Sequence, residues 1–242
     1  MPSLILCYHA TSESWSSDLS VRASILGEQV RRLLARGYVA TGFTDAVLTP
    51  GPRRLAITFD DAFVSVYDHA APVLAELGVP ATVFAPTDYV DTVRPLAWPG
   101  TEQWLQGPDA GELTPMRWDQ LGELADRGWE IGSHTRSHPR LTTLGASALT
   151  DELSGSRIVC EERLGRPCTS IAYPYGDVDE RVAAAASAAG YRAGANLAST
   201  LAPNGALQAP RIGIYPADLG WRYRLKVSRP LRALRASSLW PG

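Results

Sequence analysis

Leu55-Ala56-Ile57-Thr58-Phe59-Asp60-Asp61 runs five apolar or β-branched residues straight into two adjacent carboxylates. The run is short for a helix and reads as a strand whose C-terminal end carries the acids. A helical stretch over 24–36 closed by Gly37 precedes it, and another over 64–77 closed by Gly78 follows. Further outward the alternation continues. An apolar run at 4–8 opens the chain, and strands are expected at 81–85, 129–132, 170–173, 191–195 and 211–215. Helices near 117–127, 146–164 and 179–189 separate them, the first two closed by Gly128 and Gly165. About seven β/α units with no Pro/Ser-rich linker predict one α/β domain over 1–242, a closed or nearly closed parallel barrel. Residues 87–115 break the pattern. They are rich in Pro, Gly and Asp, carry Trp98 and Trp104, and are expected to form a long loop over one mouth of the barrel.

Composition agrees with a packed core. Of 242 residues 45% are hydrophobic, the formal net charge is −2 and the mean hydropathy is −0.09, which excludes disordered and fibrous classes. Cys7, Cys160 and Cys168 are too few for a disulfide framework and none belongs to a C-x-x-C pair. The first nine residues lack a basic region and a cleavage site, and no apolar stretch approaches the roughly 20 residues of a membrane span. A cytoplasmic protein is expected. Residues 219–242 hold six basic side chains and no acidic one. Alternation in Trp221-Arg222-Tyr223-Arg224-Leu225-Lys226-Val227 predicts a final strand, and Arg229, Arg232 and Arg235 are spaced for one helix face. Such a tail is expected to be a solvated surface, or a contact for a membrane or phosphate group. Nucleic acid is not an expected partner, because the tail is the only basic feature.

Three places carry chemistry. Asp60 and Asp61 are neighbouring like charges at a strand end, costly to bury together without a cation beside them. In Ile131-Gly132-Ser133-His134-Thr135-Arg136-Ser137-His138, two of only four histidines stand four apart. On one helical turn they would reach a single metal ion. Position 135 is Thr, so this is not the H-E-x-x-H signature and a base must come from Asp60 or Asp61. In Ser170-Ile171-Ala172-Tyr173-Pro174-Tyr175-Gly176-Asp177, Pro174 fixes the backbone and Gly176 permits close approach. The Tyr175 N–H is then a candidate oxyanion donor.

Taken in order, these features resemble the polysaccharide deacetylase family, the carbohydrate esterases built on the NodB homology domain. Thr58-Phe59-Asp60-Asp61 is similar to its first motif, His134 to His138 to its second, and Tyr173-Pro174-Tyr175-Gly176 to its third. The resemblance spans roughly residues 4–215. It implies a distorted (β/α)7 barrel, a divalent metal such as Zn2+ held by Asp61, His134 and His138, and Asp60 as base in removing an N-acetyl group from an amino sugar. Two features depart from the family. Ala172 stands where many members carry an Arg that orients the catalytic Asp, and no histidine follows His138 to supply the acid. Tyr8-His9 matches a branch acting in exopolysaccharide pathways whose early Tyr-His is assigned the acid, which implies that role for His9. Elimination agrees, since His69 falls mid-helix. Arg211, in Pro210-Arg211-Ile212, is the candidate replacement for the missing Arg.

Trp98, Trp104, Pro174 and Arg211 are the candidate substrate contacts, the tryptophans as flat faces for a sugar ring. A short acetylated sugar, or a lipid- or nucleotide-linked precursor, is the expected substrate. Two other readings stand beside this one: a related hydrolase of a non-sugar C–N bond, such as a cyclic amide or ureide, and an inactive glycan-binding barrel.

Overall fold

The computed structural model describes residues 2–240. Met1 and the last two residues of the basic tail, 241 and 242, lie outside the described residues. In chain order the elements are β1 (Leu4–Tyr8), α1 (Ala23–Leu34), β2 (Val39–Ala40), α2 (Phe43–Leu48), β3 (Arg54–Phe59), α3 (Ala71–Glu76), β4 (Thr82–Ala85) and α4 (Trp118–Asp126). There follow β5 (Glu130–Ser133), α5 (Ala146–Thr150), α6 (Ser156–Leu164), β6 (Ser170–Ala172), α7 (Glu180–Ala188), β7 (Ala193–Asn196), β8 (Ala209–Pro210), β9 (Ile212–Gly213), α8 (Gly220–Lys226) and α9 (Arg229–Arg235).

Every ladder between these strands is parallel, in the order β8-β7-β6-β5-β4-β3-β1-β9, with β2 on the side of β3. The segment 209–213 closes the circuit. Ala209 and Pro210 pair with β7, and Ile212 and Gly213 pair with β1, so Arg211 sits at the junction where the sheet returns to its start. The result is a parallel barrel, nearly closed, wrapped by helices.

Side chains alternate across the barrel wall as the period of two requires. Leu4, Leu6 and Tyr8 of β1 and Leu55, Ile57 and Phe59 of β3 join the large outer core under the helices. Ile5, Ala56, Phe84, Ala172, Ala193, Ala195 and Ala209 form a separate inner cluster of mostly small residues. Phe43 of α2 joins this cluster, its ring edge-on to Phe84 at 5.3 Å, and its N–H donates to Thr82 Oγ1 at 3.0 Å. The same alternation places Cys7, Thr58 and Asp60 on the side opposite Tyr8 and Phe59.

Two expectations are corrected. Residues 221–227 are not a strand, because Tyr223 and Val227, four apart, are the buried positions, and that spacing is helical. Arg229, Arg232 and Arg235 do share α9, but Arg232 turns inward, donating to the Pro2 and Ser3 carbonyls at 2.9 and 3.0 Å. Arg235 likewise donates to the Ser199 carbonyl at 2.7 Å. The short elements β2 and α2 lay below the length at which periodicity shows. Residues 87–115 are a loop as expected, with single 3₁₀ turns at Glu102–Trp104 and Ala110–Leu113.

Candidate active site

At the C-terminal ends of the strands the backbone leaves its regular path. Among the described residues six non-glycine residues have positive φ, and five of them are Asp61 (71°), Ala62 (52°), Thr135 (67°), His138 (62°) and Tyr175 (60°). A left-handed conformation costs such residues about 1–2 kcal/mol each, so the surrounding bonds must hold it. Met116 N–H donates to the Ala62 carbonyl at 2.8 Å. Thr135 N–H donates to Ser133 Oγ at 3.0 Å, and His138 N–H to Thr135 Oγ1 at 3.1 Å. His134 and His138 therefore meet through a left-handed loop after β5, and not on one turn of a helix as their spacing suggested. Their ring centroids are 4.8 Å apart.

Asp61 reaches between them. Its Oδ1 lies 3.3 Å from Nε2 of each histidine. His134 Nδ1–H donates to the Ala172 carbonyl at 2.8 Å, which leaves Nε2 as the ring's lone pair. All three residues are buried, and Asp61 Oδ1 has no hydrogen-bond partner. A buried, unpartnered carboxylate oxygen between two imidazole nitrogens is a donor set suited to a divalent cation, and the three donors lie within 4.8 Å of one another. The residues present fit such an ion.

Asp60 points into the barrel and is held differently. Arg211 donates from Nη1 to Oδ1 at 2.6 Å and from Nη2 to Oδ2 at 2.7 Å. It also donates to Thr58 Oγ1 at 3.0 Å, while Thr58 in turn donates to the Leu6 carbonyl at 2.8 Å. Cys7 Sγ lies 3.4 Å from Asp60 Oδ2. Burial alone would raise the Asp60 carboxyl, but the Arg211 guanidinium and then His134 outweigh it and hold it below the ordinary carboxylate value. At Asp61 burial is likewise overcome, by the two imidazoles, and the carboxyl falls well below that value. Burial lowers His138, whereas at His134 the two aspartates prevail over burial and raise it. His9, directly after β1, brings a ring nitrogen within 4.8 Å of Asp60 and Cys7.

A cavity of about 180 Å³ opens over this cluster, with His9, Asp60, Asp61, His134, His138 and Tyr175 on its walls. A larger cavity, about 750 Å³, lies at the opposite end of the barrel beside Pro2, Pro52 and Pro210. The smaller one is the candidate site, because His9, Asp60, Asp61, His134 and His138 converge on it. The turn Pro174–Gly176 forms one lip. Gly176 is required there, since φ is 70° and a Cβ would stand 2.7 Å from the Leu197 nitrogen.

Among the sequence candidates, Trp98 lines the cavity but is only 8% exposed, its ring stacked on His138 with centroids 4.0 Å apart. It braces a histidine more than it offers a face. Trp104 is corrected: it packs edge-on against Trp15 at 5.1 Å and is not among the cavity residues. Arg211 as a substrate contact is corrected too, being 1% exposed with its guanidinium committed to Asp60. Pro174 is the buried residue of the Pro174–Gly176 turn. Sequence reasoning missed Cys7 and Thr58 beside Asp60, although each stands two residues before a singled-out residue and so faces the same way. It also missed Arg140, whose guanidinium lies 4.2 Å from the Tyr175 ring centre.

The family profile described as polysaccharide deacetylase matches residues 48–194. YxkH of Bacillus subtilis (strain 168), which carries a provisional polysaccharide deacetylase name, is 27% identical over 196 residues. That match takes in 78% of this chain, and the chain spans 62% of that relative's length. Among solved structures, the Streptococcus pyogenes deacetylase PplD in complex with acetate superposes with a TM-score of 0.79 at 21% identity, over 94% of this chain and 99% of the other. IcaB from Ammonifex degensii gives 0.72 at 20% identity, over 98% and 97%. At these identities the likeness is one of fold, a deacetylase barrel.

Proposed function

Because the chain belongs to the polysaccharide deacetylase family, we propose that it hydrolyses the acetamide of an N-acetylated amino sugar, with Asp60 as base, His9 as acid and Asp61, His134 and His138 as metal ligands. One observation carries the reading: three buried donors converge around an unpartnered carboxylate oxygen, beside a second carboxylate held apart from them by an arginine. When bound, a divalent cation such as Zn2+ supplies Lewis-acid polarisation and a more acidic water at neutral pH.

The chain's own residues do the rest. Arg211 keeps Asp60 ionised and fixes its plane, so that a free lone pair accepts the proton of the attacking water. Attack turns the acetyl carbonyl into a tetrahedral oxyanion, for which the Tyr175 N–H on the strained lip is the proposed protein donor. His9 protonates the amine nitrogen as the C–N bond breaks, without which the amide nitrogen leaves poorly. His9 groups with Asp60 and Cys7 and is not one of the three converging donors Asp61, His134 and His138, so removing it is expected to spare the ligands. A cavity of about 180 Å³ is of the scale of a small acetylated group, and the proposed substrate is a short acetylated saccharide or a lipid- or nucleotide-linked precursor.

The test is release of acetate and free amine from N-acetylglucosamine oligomers and their conjugates, by the wild type and by Asp60→Asn. Acetate release that Asp60→Asn abolishes supports the assignment. Equal release by both, or no acetate release alongside ring opening of a cyclic amide, overturns it.

A further inference from the structure

We propose that the face formed by α8 and α9 docks onto an anionic lipid bilayer. Among the described residues, six of the ten exposed large hydrophobic side chains lie in the final stretch: Tyr215, Leu219, Trp221, Leu225, Leu234 and Leu239. Tyr223 of α8 and Val227, which caps it, are the buried pair that fixes the inward direction. At about 100° per residue, Trp221 and Leu225 then point directly away from the body of the protein. They are 64% and 51% exposed. Arg222 and Arg224 fall on either side of this ridge, and both are exposed. In α9 Arg232 turns inward, Leu234 faces out and Arg229 is exposed, which adds one apolar side chain and one cation to the face.

An apolar ridge flanked by cations fits a surface that is anionic outside and apolar just beneath, with tryptophan at the boundary. No helix among the described residues is long and apolar enough to cross a membrane, so the contact lies on the surface. A second copy of this chain is a poorer occupant. A two-fold contact would set Arg222 and Arg224 of both copies against one another, and residues 219–242 contain no acidic side chain to pair them. Asp218, the nearest acid, is already engaged with Lys226 at 2.6 Å. The proposal is independent of the chemistry assigned to the barrel.

Flotation of the chain with phosphatidylcholine vesicles, with and without phosphatidylglycerol, tests it. Binding is expected only to the phosphatidylglycerol vesicles, weakening as salt is added. Arg222→Gln with Arg224→Gln should weaken it about 30-fold, near fivefold for each cation. Trp221→Ser with Leu225→Ser should remove what persists at high salt. All four side chains are exposed, so unchanged thermal melting is expected in both double variants and checks the fold. Three results would overturn the proposal: no binding to the anionic vesicles, binding that neither double variant weakens, or a dimer that Trp221→Ser with Leu225→Ser dissociates.

Discussion

Arg211 grips both carboxylate oxygens of Asp60, at 2.6 and 2.7 Å, across 151 residues of sequence. Arg211 lies at the junction where the barrel closes and Asp60 directly beyond β3, so closure of the fold and placement of the proposed base are one event. Breaking a buried pair from one side costs about 3–5 kcal/mol, and Arg211→Ala should unfold at clearly lower temperature. Arg211→Lys keeps the charge but not the two-point grip. The carboxyl of Asp60 would then rise, and activity that needs it ionised would disappear at a higher pH as the solution is acidified. A kcat–pH profile of Arg211→Lys whose acidic limb coincides with wild type would contradict the role given to this pair.

His9→Ala should lower kcat by about 10²- to 10⁴-fold while leaving bound metal unchanged, because His9 is not one of the three converging donors. Metal analysis alongside turnover checks this. A variant that loses its metal would move His9 out of the acid role and into the ligand set.

Trp98 stacks on His138 with centroids 4.0 Å apart. Residues that hold a ligand's ring in place commonly contribute about 10- to 100-fold to metal affinity, so Trp98→Ala should weaken Zn2+ binding by that order. Trp98→Phe, which keeps a flat face, should lose less. Calorimetric titration distinguishes the two, and unchanged affinity in Trp98→Ala would return Trp98 to the substrate.

Arg232 donates to the carbonyls of Pro2 and Ser3 from a buried position. Removing a buried charged donor costs about 1.5–3 kcal/mol, which at roughly 2–4 °C per kcal/mol for a domain of this size predicts a fall of several degrees in Tm for Arg232→Ala. Its kcat should match wild type, since the contact lies at the end of the barrel away from the cluster.

Much of this architecture was legible because long amphipathic helices closed by glycine and apolar strands ending in polar residues announce themselves locally. The tail was misread because Arg222, Arg224 and Lys226 alternate with apolar groups, and only burial of Tyr223 and Val227 reveals the helix. The histidine pair was legible as a pair but not in its geometry, since nothing in Ser133-His134-Thr135-Arg136 announces a positive φ at Thr135. Trp98 and Trp104 look alike in sequence, and tertiary packing alone sends one to His138 and the other to Trp15. The pairing of Arg211 with Asp60 was within reach only through the family resemblance, which made Arg211 the candidate for the missing Arg; it follows from closure, a long-range property that a local pattern does not carry.

The central claim is most directly tested by stripping the protein with a chelator and restoring Zn2+ stepwise while following acetate release from an N-acetylglucosamine oligomer. Activity should vanish on stripping and return in proportion up to one equivalent, and Asp60→Asn should bind that equivalent yet release no acetate. Acetate release that survives complete removal of the metal would contradict the account.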